Sequence, residues 1–211
     1  MDADTLTAAL PAERRLALAY APARARPLWR GLFVLDQRLG AVAAAQREPM
    51  LAQIKLAWWR EQLAKPAAAR ARGEPVLALL DAWGDAAGGL QPLVDSWELL
   101  LDGQSLGGAT AGQIAQQRSA VCQALAVQLG LAGSGRDIGR AAQGWALADL
   151  AALTGAPALS AQHDWAALKL PRDLRPLAVL YGLARRSRGQ TALMPGPRAG
   201  LRAVRLGIWG I

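Results

Sequence analysis

The sequence predicts an all-α fold, a single bundle of about eight or nine helices. Three observations carry this. Alanine and leucine dominate, and runs of alternating β-branched residues are absent. Apolar residues recur at spacings of three and four, the period of one helix face. Proline and glycine fall between the periodic stretches, where they act as start and stop signals. With 211 residues, 53% of them hydrophobic, the chain is one domain able to bury a substantial core.

Taken in order, helices are expected at 12–20, 24–45, 49–65, 75–87, 92–102, 111–130, 136–154, 171–188 and 197–207. Pro49, Pro75, Pro92, Pro171 and Pro197 stand at or near helix starts, where a missing N–H costs nothing. Gly73, Gly130 and Gly155 stand where helices should stop. Residues 155–169 form the longest stretch expected to be irregular, and 189–197 a second loop.

The helix after Pro49 has the clearest pattern. Leu51, Ile54 and Trp58 repeat at i, i+3, i+7, with Leu56, Trp59 and Leu63 beside them. Glu61 and Lys65 are spaced for an i,i+4 ion pair. Trp58 and Trp59 point about 100° apart, so this helix is expected to be covered on two sides. Most of the eight tryptophans are expected in the core. The sharper alternative is that some line a lipid cavity.

Several chemistries are excluded at once. Cys122 is the only cysteine, so a disulfide framework and a cysteine-based zinc site are out. His163 is the only histidine, which excludes a multi-histidine metal site. No elbow motif precedes it to make a Ser-His-Asp centre. No run of about 18 apolar residues predicts a membrane span. The acidic start Met1-Asp-Ala-Asp-Thr does not look like a basic leader, so a cytoplasmic placement is expected, with peripheral attachment at the inner face of the membrane as an extension of it.

The net charge of +8 is concentrated at one end. Residues 171–211 hold eight arginines against Asp173 alone, a balance of +7. Such asymmetry suits an anionic membrane, a diphosphate or nucleic acid, or is simply a solvated basic surface. Nucleic acid is not expected, because only Tyr181 and Trp209 accompany those arginines. In the final segment Leu201, Val204 and Ile208 fall on one side and Arg202 and Arg205 on the other, with Trp209 at the edge. That composition suits an interfacial contact, to which Arg185, Arg186 and Arg188 would add attraction. A final helix packed on the bundle is the alternative.

Four segments also resemble a known family: Ala17-Leu-Ala-Tyr-Ala-Pro22, Leu28-Trp-Arg-Gly-Leu-Phe-Val-Leu-Asp36, Arg47 to Leu63, and Leu170 to Ser187. They resemble the squalene/phytoene synthases. The likeness is greatest to a short, degenerate bacterial branch related to a mitochondrial complex I assembly factor. It implies that residues 1–211 form one shortened isoprenoid-synthase bundle around a central cavity.

Active members of that family join two prenyl diphosphates head to head and hold Mg2+ between two aspartate-rich helices. Hard Mg2+ on carboxylates neutralises the departing diphosphate. In this chain the resemblance would place the first aspartate pair near Gly40 and Ala41, and Asp36 is the only carboxylate in that helix. In the second helix Gln143 falls where the family often has glutamine, and Asp149 stands alone. Asp36 and Asp149 are therefore the residual metal candidates, too few for a trinuclear cluster. A single aspartate in a helix is also commonly solvated or paired with arginine. Should diphosphate binding survive, Arg38, Arg47, Lys55, Arg60 and Gln143 are the candidates, each with surface solvation as the plainer reading.

Three functions follow as expectations. The first is a helper without prenyl coupling, docked to a membrane or a membrane-complex subunit and needing no cofactor. The second is an active or altered Mg2+-dependent prenyltransferase, with Asp36 and Asp149 facing each other across a basic-rimmed cavity. The third is a module that binds an isoprenoid without transforming it.

Overall fold

The structure, a computed structural model, describes residues 2–45, 49–101, 107–131, 135–161 and 163–187. Among these residues every regular element is a helix. The chain runs α1 (Ala3–Ala8), α2 (Ala12–Ala19), α3 (Arg26–Ala45), α4 (Pro49–Ala64), α5 (Pro75–Leu79), α6 (Gln91–Glu98), α7 (Gly108–Gln128), α8 (Gly135–Thr154), α9 (Ala158–Ala161) and α10 (Arg175–Ser187). Short 3-10 turns occupy Ala67–Ala69, Leu80–Leu90 and Arg172–Leu174. The expected helix at 197–207 lies outside the described residues.

Two elements were not expected. Helix α1 starts at Asp2, whose carboxylate accepts from the Thr5 N–H at 2.8 Å and so satisfies one orphan donor of the first turn. Helix α9 interrupts the stretch expected to be irregular. The helix expected over 75–87 is instead broken. It turns to 3-10 geometry after Leu79 and changes direction at Gly84, with φ 52° and ψ −139°. That region is open only to glycine. The kink turns the Gly84 carbonyl to accept from Arg70 Nη2 at 2.6 Å.

Helix α3 is the central element. Trp29, Leu32, Phe33, Leu35 and Leu39 are all buried along it. Helices α7 and α8 form an antiparallel hairpin, with Ser119 beside Gly139 and Gln116 beside Gln143. Helix α10 packs on α8 and α2, and α6 lies between α7 and α4. Indole N–H groups tie the layers together. Trp29 donates to the Asp173 carbonyl at 2.9 Å, and Trp83 donates to the Leu28 carbonyl at 3.0 Å. Each ring fills core volume while its polar edge is satisfied. Arg24 adds an ion pair to the buried Asp173, closing the start of α10 onto the bundle.

Helix α4 differs from expectation. It is covered on one side only, through Ala52, Leu56, Trp59, Gln62 and Leu63. The stripe of Leu51, Ile54 and Trp58, expected to be covered, points outward: Leu51 is 46% exposed, Ile54 60% and Trp58 37%, with Met50 beside them at 70%. Among the described residues no element covers it. The expected Glu61–Lys65 pair forms, at 2.7 Å.

Candidate functional site

Five helices bring one polar residue each to the middle of the bundle. Asp36 on α3 is 1% exposed. Arg14 on α2 reaches it, Nη1 to Oδ2, at 2.7 Å, and Arg118 on α7, Nη2 to Oδ1, at 3.3 Å. The same two arginines turn their other nitrogens to Asp149 on α8, at 3.0 Å from Arg14 and 2.8 Å from Arg118. Trp97 on α6 donates its indole N–H to Asp36 Oδ1 at 2.8 Å. The result is a closed ring of two cations and two anions, with no net charge.

Each guanidinium also lies against an aromatic face. Arg14 stands 5.8 Å from the Trp145 ring centre, and Arg118 stands 5.4 Å from that of Trp97. Isolated charges in such a place would be very costly, so the four groups depend on one another. Burial by itself would raise the Asp36 carboxyl. The charges of Arg118 and Arg14, with the Trp97 hydrogen bond, outweigh it and hold Asp36 below the ordinary carboxylate range. A carboxylate depressed in the folded state stabilises above its unfolded value near 3.8, and that contribution fades as pH falls through the folded value. The urea midpoint is therefore expected to fall on acidification below about pH 4. Asp36→Asn, measured in parallel, should show a shallower acid limb.

A cleft of about 530 Å3 opens over the ring, lined by Arg14, Asp36, Gly40, Trp97, Leu100 and Leu153 among others. Gly40 is the position near which a metal-binding aspartate was expected. A Cβ added there would stand 2.8 Å from the Trp97 ring, so the indole already fills the space of a side chain. The chain matches no protein-family model, no curated protein and no solved structure.

The other candidates separate into distinct places. Arg38 and Lys55 do come together, in a second cleft of about 390 Å3 shared with Trp58, Trp59 and Glu74. Arg38 already pairs there with Glu74 at 3.0 Å. Arg60 lies elsewhere, between Asp95 at 2.5 Å and Glu98 at 2.7 Å. Those two carboxylates line the cleft that Arg60 faces and would repel a diphosphate. Gln143 donates to Gln116 Oε1 at 3.2 Å. It stands six residues before Asp149, about 120° away around α8, and so lies off the face that meets the ring. Arg185 is half-buried on α10 and Arg186 is exposed. Arg47, Arg188, Arg202, Arg205 and Trp209 lie outside the described residues.

Three contributors were missed in the sequence: Arg14, Arg118 and the indole of Trp97. A signal existed for Arg118. It shares a stripe with Ile114, Val121, Cys122 and Leu125, all buried, and a cation on such a stripe calls for a buried acid. Cys122, next on that stripe, has its thiol pushed up to about 12 by burial and stays protonated. Among the described residues, no three of His, Cys, Asp and Glu converge on one point. His163 packs edge-on to Trp165, with ring centres 4.7 Å apart.

Proposed function

We propose that this chain is a squalene/phytoene synthase-like protein without prenyl-coupling activity, serving as a helical platform that docks to a membrane or a membrane-complex subunit. The observation that carries the reading is the ring of Arg14, Asp36, Arg118 and Asp149. The two aspartates that resemble remnants of the metal-binding helices do approach each other. The charges between them, however, are fixed guanidinium groups. A divalent cation entering there would meet two positive charges, and carboxylates already paired with them. The indole on Gly40 adds to this, because it leaves no room for the expected aspartate. The sequence resemblance in the segments up to Leu63 and from Leu170 supports the family assignment.

The apolar cleft over the ring favours a second reading, a module that binds an isoprenoid without transforming it. One experiment separates the readings. Purified protein is titrated with farnesyl and geranylgeranyl diphosphate, with and without Mg2+, and products are analysed. Neither turnover nor binding is expected of the platform. Binding without product would favour the lipid module. A Mg2+-dependent head-to-head product would overturn the proposal and make the chain an altered transferase.

A further inference from the structure

We infer that the open face of α4 is the surface by which the protein meets its membrane, and that this membrane is anionic. The inference rests on the docking reading above and specifies the face. Met50, Leu51, Ile54 and Trp58 stand out from the helix with 37–70% of their surface exposed. At 100° per residue they span about 100° of one side, on the first two and a half turns. Lys55 follows at the edge of this stripe, exposed, and lines one cleft with Trp58 and Arg38. The Arg38 side chain, 46% exposed, is held there by Glu74 at 3.0 Å.

Apolar side chains with a tryptophan among them and Lys55 at their edge suit contact with a bilayer interface. Lys55 adds attraction to anionic headgroups at this face, and the net charge of +8, most of it in residues 171–211, favours approach of the chain as a whole. Size argues against a protein partner. A standard interface covers about 800 Å2 on each side, and four partly exposed side chains supply roughly half of that. An interface between lipid headgroups and acyl chains sets no such minimum. In the described residues no helix is long and apolar enough to cross a membrane, so contact would be along the surface.

The test is co-sedimentation of the full chain with vesicles of phosphatidylcholine alone or mixed with phosphatidylglycerol. The variants Ile54→Glu and Lys55→Ala change exposed side chains, and circular dichroism checks that they fold. The wild-type chain is expected to bind only the mixed vesicles. Ile54→Glu should weaken binding about tenfold or more, and Lys55→Ala roughly fivefold. If Ile54→Glu binds as the wild type does, the α4 face is wrong while membrane attachment through another surface stands. If the wild type binds neither vesicle, attachment to lipid fails with it. A wild-type dimer in light scattering that Ile54→Glu dissociates, without vesicle binding, would assign the face to a second copy and overturn the lipid inference.

Discussion

Arg118→Ala is expected to lower the unfolding free energy by about 3–5 kcal/mol. The arginine side chain is 5% exposed and contacts both Asp36 and Asp149. Its removal leaves two carboxylates to share Arg14, with the Asp36 side chain buried and unable to recover water. It also uncovers the face of Trp97, which the guanidinium covers at 5.4 Å. Guanidinium unfolding followed by tryptophan fluorescence gives the number. Adding Asp36→Asn should return part of the loss, because it removes the charge left without a partner. A loss below about 1 kcal/mol would mean that water reaches the ring and that the four charges are not interdependent.

Gly40→Asp tests the proposed function from the opposite side, by reinstating the carboxylate that the resemblance leads one to expect. A loss of about 3 kcal/mol is expected. The new Cβ would stand 2.8 Å from the Trp97 ring and displace it, taking with it the hydrogen bond to Asp36. The added charge would enter a ring that is already balanced, with Asp36 beside it. Melting curves with and without Mg2+ decide the meaning. No shift with Mg2+ is expected, because Arg14 and Arg118 remain in place. A clear Mg2+-dependent rise in melting temperature would show that these helices still hold a metal, and the platform reading would lose its main support.

The helices at 24–45, 49–65, 111–130 and 136–154 were legible because their signals are local. Apolar spacing and proline or glycine at the ends act within a few residues. The 75–87 segment misled for the same reason. Its composition is helical, and only the φ of 52° at Gly84, held by an Arg70 fourteen residues away, breaks it. Leu51, Ile54 and Trp58 share a helical period that declares a common face. The period carries no information on whether another helix arrives to cover it.

By itself, then, the sequence determined the all-helical character of the described residues and the positions of most of their helices, and it singled out Asp36 and Asp149. It even allowed an arginine as the partner of a lone aspartate. Which arginine, and whether the two aspartates meet at all, was decided by tertiary structure. Arg14 lies 135 residues from Asp149, and Arg118 lies 82 residues from Asp36. Nothing local relates such positions. A buried charge is tolerable only where the packing of several helices delivers the opposite charge within hydrogen-bond reach, and that condition belongs to the folded bundle as a whole.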